Sequence, residues 1–156
     1  MDMPSTDWAT DESLVASLPG AGALIDWFGF RPHFHDATLE GLELSDGNAT
    51  LSIRTFRMTS EIDAEGFYVL DRHALVRLRL LGVTGLKLEG DAGSIISELM
   101  IRRLPATPDR SNWRFCTGPT EGDIEVAFET AVGLYGVIYA KELAFELSPS
   151  PAPTTT

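Results

Sequence analysis

The sequence lacks several features that define common functional classes. It has one cysteine, Cys116, in 156 residues, so an intrachain disulfide is excluded and a reducing, cytoplasmic location is expected. No apolar run approaches the roughly 20 residues that a membrane-spanning helix needs. The acidic, polar start has neither the basic nor the apolar region of a secretory signal. A membrane protein and a secreted disulfide scaffold are therefore not expected.

Motifs that bind phosphate, a dinucleotide or a catalytic metal are also missing. The patterns GxxxxGK[ST], GxGxxG, HExxH and GxSxG do not occur. Cys116 has no histidine near it in the sequence, so we interpret it as a small buried hydrophobe and not as a nucleophile. The sequence therefore has no recognisable active-site motif, and no cofactor is expected.

Basic residues are scarce relative to acidic ones. The chain has 12 Lys and Arg against 23 Asp and Glu, for a net charge of −11. Residues 1–53 carry −8, residues 54–114 carry +2 and residues 115–156 carry −5. Such a surface repels phosphate backbones and anionic lipids, so we expect neither a nucleic-acid nor a membrane partner. It would attract a basic protein, although the simpler interpretation is that the acids maintain solubility.

What is present is typical of one globular domain. The chain has 44% hydrophobic and 22% charged residues, an ordinary mix for a soluble domain of this length. We predict a flexible N-terminus over residues 1–10 and a single domain over residues 11–148. A disordered Pro/Thr tail is predicted over residues 149–156.

Two short helices are predicted near the N-terminus. Residues 11–18 have acids in the first turn and an apolar face, and they stop at Pro19-Gly20. Residues 21–28 have one broad apolar face and end at Gly29.

From Ala37 onward the apolar period changes from helical to two, which is typical of strands. Residues 37–45 and 49–57 flank the turn signal Asp46-Gly47-Asn48, so they predict a β-hairpin. Residues 58–68 are interpreted as a loop or an excursion from the sheet. The remaining strands are predicted at 76–80, 86–89, 95–102, 113–117, 124–129 and 142–147, with glutamates of the last two on a solvated sheet face.

These patterns together predict an α+β fold. Seven to nine mostly antiparallel strands, without long helices between them, exclude a doubly wound parallel sheet. We expect a curled antiparallel sheet or open β-sandwich with the two short helices packed on it. A homodimer formed through a sheet face or edge is left open.

The densest group of chemically active side chains is at residues 31–36. His33 and His35 could face the same side of an extended chain, as two metal ligands would. A third ligand would have to come from far away, for example from His73. A metal-binding protein is therefore one alternative function.

Two further interpretations concern the same segment. His35 and Asp36 could act as an acid–base pair in a hydrolase, although adjacent side chains of an extended chain point in opposite directions. In the simpler interpretation, Phe34 fills the core where the helices meet the first strand. His35 and Asp36 then hydrogen-bond backbone groups at this junction.

Residues 27–37, WFGFRPHFHDA, resemble the opening of the immunity protein 50 family. These are small cytoplasmic bacterial proteins associated with polymorphic toxin systems. Gly29-Phe30 and Pro32 match the family pattern, whereas Arg31 replaces a usual aromatic residue and His33 a usual serine. A looser likeness of strand order extends over residues ~20–148. The match is completed by the FHDA motif, which consists of Phe34, His35, Asp36 and Ala37.

The resemblance implies a non-catalytic immunity protein that binds and neutralises a cognate toxin. The acidic charge would suit a basic toxin such as a nuclease. The four FHDA residues would then belong either to the scaffold or to the binding surface.

Overall fold

The fold is known from a computed structural model, which describes residues 9–111 and 117–150. Its sheet has the strand order β1-β2-β3-β6-β5-β4, and every neighbouring pair is antiparallel. The predicted α+β class is confirmed. The elements are α1 (Glu12–Ser17), α2 (Ala21–Phe28), β1 (Thr38–Ser45), β2 (Asn48–Ile62), β3 (Tyr68–Glu89), β4 (Ile96–Arg103), β5 (Ile124–Thr130) and β6 (Tyr135–Pro149).

Both predicted helices form, and the local sequence explains their ends. The Asp11 carboxylate accepts the Leu14 N–H at 3.1 Å and caps α1. Gly20 and Gly29 flank α2 with φ of 84° and 80°, a backbone conformation that glycine adopts at little cost. A Cβ at Gly20 would collide with the backbone of Phe145 in β6. This glycine therefore lets α2 begin directly against the sheet.

The first hairpin forms as predicted. Asp46 and Gly47 have φ of 52° and 77°, and Ser45 pairs with Asn48 across them. Two central residues with positive φ define the turn type that best matches the twist of the flanking strands.

The strands are fewer and longer than predicted. Six are present in the described residues, because β3 is continuous where two strands were expected. Of the two interpretations of residues 58–68, the loop is incorrect, since β2 and β3 continue into this segment as an excursion and leave a turn at residues 63–67. Register shifts at Thr55/Arg57 and Met58/Ile62 interrupt the alternation while backbone pairing continues. The strand predicted at 113–117 lies outside the described residues except for Thr117, and so does Cys116.

The sheet is curled, and its two edges meet at one end. The Leu39 N–H donates to the Ser94 carbonyl at 2.7 Å, and the Ile96 N–H donates to the Ala37 carbonyl at 2.8 Å. One isolated bridge joins the start of β1 to the segment before β4. The sheet is therefore bent towards a barrel without being closed.

The main hydrophobic core lies between the two helices and the sheet. Leu24 and Phe28 of α2 are 2% and 0% exposed, and burial of such a side chain stabilises the fold by about 1.5–3 kcal/mol. The strands contribute alternate residues to this core, among them Leu51, Ile53, Val76, Leu78, Leu80, Leu143 and Phe145.

The opposite face of β5 is buried, although a solvated face was predicted there. Glu125 and Ala127 are both 0% exposed, while Glu129 is exposed as expected. A second apolar cluster covers this side of the sheet and explains the burial. The two-residue alternation of β5 shows that its two faces differ, but it does not show whether the face with Glu125 is exposed or covered. The cluster consists of Met100, Leu104, Ala127, Tyr135, Val137 and Tyr139. The same prediction is correct for β6, where Glu142 and Glu146 are exposed.

The chain remains paired slightly beyond the predicted domain end at residue 148. Pro149 pairs with Ala74, and the Ser150 N–H donates to the His73 carbonyl at 2.9 Å. Residues 1–8 and 151–156 of the two predicted flexible termini lie outside the described residues. Within residues 9–111 and 117–150, no helix has the length and apolar character needed to cross a membrane.

Candidate functional site

The FHDA motif forms the junction between α2 and β1. Phe34 is 5% exposed and Ala37 is 0% exposed, and both belong to the main core. The predicted place of Phe34 in the core is confirmed. Phe34 and Asp36 have φ of 61° and 63°, which is an unusual conformation for residues with a Cβ and costs of order 1–3 kcal/mol each. The motif is therefore a tight, locally strained corner and not the extended segment that the sequence suggested.

Backbone hydrogen bonds hold this corner against the start of β4. The Asp36 N–H donates to the Ile96 carbonyl at 2.9 Å, and the Ala37 N–H donates to the Phe34 carbonyl at 3.1 Å. The edges of the curled sheet meet at this same place. The motif thus lies where the sheet edges meet.

The side chain of Asp36 does not make the junction hydrogen bond that was expected of it. Its carboxylate is 52% exposed, and its described partner is the His35 ring, with Nε2 3.6 Å from Oδ1. The junction bond comes instead from the Asp36 backbone N–H. Asp is one of the few residues that enter the left-handed region readily, and this preference explains its place in the corner.

His35 does hydrogen-bond the backbone, as predicted. Its Nδ1 lies 2.7 Å from the Ser97 carbonyl oxygen, and because a carbonyl only accepts, Nδ1 carries the proton. This hydrogen bond is the main reason that the pKa of His35 is raised, with a smaller contribution from the Asp36 carboxylate. His35 therefore remains a cation to higher pH than an isolated histidine would.

His33 and His35 line the same surface pocket, whose volume is about 440 Å³. Arg31 also lines it, and its guanidinium contacts the Glu12 carboxylate and lies 3.2 Å from Nδ1 of His33. Since a guanidinium only donates, Nδ1 of His33 is the acceptor. Both histidines thus contact the protein through Nδ1, which donates in His35 and accepts in His33, while Nε2 of His35 lies 3.6 Å from Oδ1 of Asp36.

The geometry bears on both the metal-site interpretation and the acid–base interpretation of residues 31–36. Among residues 9–111 and 117–150, no three His, Cys, Asp or Glu side chains form a group that could hold a metal ion. His73, the proposed distant ligand, instead lies beside Phe56 with ring centroids 6.1 Å apart. His35 and Asp36 do approach each other, because the corner at Asp36 replaces the extended backbone that would separate them.

Nothing in the sequence pattern indicated that β4 contributes to this pocket. Ser97 and Glu98 line it together with Glu12 of α1. With the histidines, the pocket is lined by three distant parts of the chain. The histidine segment and β4 meet because the start of β1 bonds to the segment before β4. Such a contact depends on the curl of the whole sheet, which local periodicity does not specify.

Comparison with known proteins adds no relative. No family model matches the sequence, and no curated protein or solved structure matches the chain.

Proposed function

We propose that this chain is an immunity protein that binds a cognate bacterial toxin domain and neutralises it by occupying its surface. The proposal rests on the resemblance of residues 27–37 to the immunity protein 50 family and on the electrostatics of the folded chain. It describes a docking protein that makes and breaks no covalent bond. We infer a cytoplasmic location, where a toxin made by the same cell would have to be intercepted.

The observation that carries the proposal is how the chain distributes its charges. At least seven of the eleven Lys and Arg residues that the structure describes form an ion pair with one of the chain's own carboxylates. These bases are consequently less available to an acidic partner. Ten carboxylates are exposed and make neither an ion pair nor a side-chain hydrogen bond within the described residues: Asp26, Glu43, Asp46, Glu61, Glu65, Asp91, Glu98, Glu121, Glu129 and Glu142. A basic surface is the partner that such a distribution attracts most strongly.

The motif geometry favours a scaffold role for the FHDA residues. Phe34 and Ala37 are buried, so neither can contact a partner without rearrangement of the core. His35 and Asp36 are exposed and could take part in an interface. In this account the motif shapes the curled sheet, and the toxin binds elsewhere on the surface.

Co-expression tests the proposal directly. The toxin domain encoded beside this chain's own gene is expressed alone and together with the chain, and growth is recorded. We expect the chain to restore growth and to co-purify with the toxin domain. Failure of both would reject the proposed function.

One observation supports the alternative of a metal-binding protein or hydrolase. His33 and His35 line one pocket, and two imidazoles can supply part of a metal site. Metal analysis of untagged protein purified without chelator tests it. A stoichiometry near one ion per chain that His35→Ala abolishes would support this alternative, and a value far below one would reject it.

A further inference from the structure

The hairpin between β2 and β3 projects beyond the rest of the sheet. β1 pairs with β2 only as far as Arg54, and β6 pairs with β3 only from Ala74 onward. Residues 55–73 therefore extend past both neighbouring strands as a two-stranded ribbon. We name residues 58–70, its outer part, the hairpin tip.

The hairpin tip exposes a concentration of large apolar side chains. Met58 pairs with Leu70, and Ile62 pairs with Tyr68. Side chains of directly paired residues share a face, as do residues two apart on one strand, so these four lie on one face of the ribbon. With Phe67 they are 38–67% exposed, and they make up five of the eleven exposed large hydrophobic residues among those described. Such concentrations mark binding surfaces more often than singly scattered residues do.

Hydrogen bonds hold the hairpin tip in a defined conformation. The Asp63 carboxylate accepts the N–H groups of Glu65 and Phe67 at 2.9 and 3.0 Å. At the base of the ribbon, Arg57 donates two hydrogen bonds to Asp71, at 2.8 and 2.6 Å. A surface that is already ordered loses less conformational entropy when it binds.

The charge of the hairpin tip indicates the chemistry of its partner. Residues 58–70 contain three acids, Glu61, Asp63 and Glu65, and no base. A second copy of the chain would bring two acidic tips and two net charges of −11 together, which is unfavourable. A basic surface with an apolar depression fits both features.

We infer that the hairpin tip is the surface that contacts the toxin, with its exposed apolar side chains packing against an apolar depression in a basic surface. This inference rests on the proposed function, because it names the part of the chain that performs it. Exposed aromatic side chains on a rigid, projecting element are typical of the few residues that dominate binding energy.

Paired variants test the apolar part of the inference. The double variant Phe67→Ala/Tyr68→Ala is compared with Leu44→Ala/Val132→Ala, which removes side chains that are 57% and 65% exposed elsewhere. Calorimetry measures the Kd for the toxin domain encoded beside the gene. The tip variant should bind at least about 30-fold more weakly, the loss typical of central aromatic contacts. The control variant should change Kd by less than about threefold.

Charge reversal tests the electrostatic part. Glu61→Lys/Glu65→Lys is compared with Glu43→Lys/Glu142→Lys, which changes the net charge equally at two other exposed sites. Reversal at the tip should slow association more than the control does, and the difference should shrink at high salt. Unchanged melting temperatures would show that all four variants remain folded.

The outcomes separate this inference from the proposed function. If the wild-type chain does not bind the toxin domain, both fail. If it binds and the tip variants bind equally well, the inference fails and the proposed function stands. A wild-type dimer in light scattering that Phe67→Ala/Tyr68→Ala converts to a monomer would also overturn it, because the tip would then bind a second copy.

Discussion

The Asp36 N–H donates to the carbonyl oxygen of Ile96 at 2.9 Å, and this bond joins the FHDA corner to the first residue of β4. The two residues are sixty positions apart in the sequence. They meet because the sheet curls until its edge strands touch. The motif that resembles an immunity-protein family thus lies where the two edges of the open, curled sheet meet.

The first prediction concerns the backbone of Asp36. Asp36→Ala should lower the free energy of unfolding by about 1 kcal/mol, because alanine enters the left-handed region less readily than aspartate. Asp36→Gly should cost less, since glycine adopts the φ of 63° freely. Urea unfolding measures both values. An equal loss in the two variants would show instead that the carboxylate stabilises the corner.

The second prediction concerns the titration of His35. NMR should find its pKa above the usual value of about 6.5, because the Ser97 carbonyl and then the Asp36 carboxylate favour the charged ring. A raised folded-state pKa means that the stabilising effect is fully present below the unfolded-state pKa and is lost as the pH rises through the folded-state pKa. Asp36→Asn should lower the pKa only partly, since the bond to Ser97 remains. A wild-type midpoint at or below the usual value would contradict the geometry.

Capping and turn residues in the sequence correctly predicted the two helices and the first hairpin. Asp11 caps α1, Gly29 ends α2, and Asp46-Gly47 turns the first hairpin. The alternation of Val76, Leu78 and Leu80 identified the centre of β3. Each signal acts within a few residues, so it does not depend on how the sheet curls.

The sequence did not predict features that depend on distant contacts. The burial of Glu125 follows from a second apolar cluster on its side of the sheet, and its own strand still alternates as a solvated one would. The bulges near Thr55 and Arg72 interrupt the two-residue alternation of β2 and β3, so the sequence pattern did not predict that the hairpin extends beyond them. The histidine pocket was anticipated only in part, because Ser97 and Glu98 reach it only where the two edges of the curled sheet meet.

The third prediction concerns Asp123, which is 3% exposed. It accepts hydrogen bonds from Lys141 at 2.6 Å, from the Thr84 hydroxyl at 2.8 Å and from the Thr120 N–H at 3.0 Å. Burial acts to raise its pKa, but these three donors outweigh burial, and the pKa of Asp123 is lowered. Asp123→Asn should lower the free energy of unfolding by about 1–3 kcal/mol at neutral pH.

The pH dependence provides the check on Asp123. A lowered folded-state pKa means that its stabilising effect is present above the unfolded-state pKa of about 3.9 and is lost as the pH falls through the folded-state value. The destabilisation by Asp123→Asn should therefore diminish in acid. Urea titrations at several pH values measure it, and a difference that stays constant down to the lowest pH would refute the assignment.

The fourth prediction concerns the buried ion pair of Arg102 and Glu125. Glu125 is 0% exposed and its Oε1 lies 3.1 Å from Nε of Arg102. Arg102→Met should cost about 3–5 kcal/mol, because it leaves a buried carboxylate without its cation. Arg102→Met/Glu125→Leu should recover much of this loss, since it removes both charges. If the two substitutions are additive in urea unfolding, the pair is not coupled as the structure indicates.

The most direct test of the central claim is a titration of toxin activity with the purified chain. A protein that acts by docking should inhibit fully at one chain per toxin domain, and activity should return when the complex is dissociated. Irreversible loss of toxin activity at a small fraction of that ratio would mean that the chain is a catalyst. No inhibition at a large excess would mean that it does not neutralise this toxin.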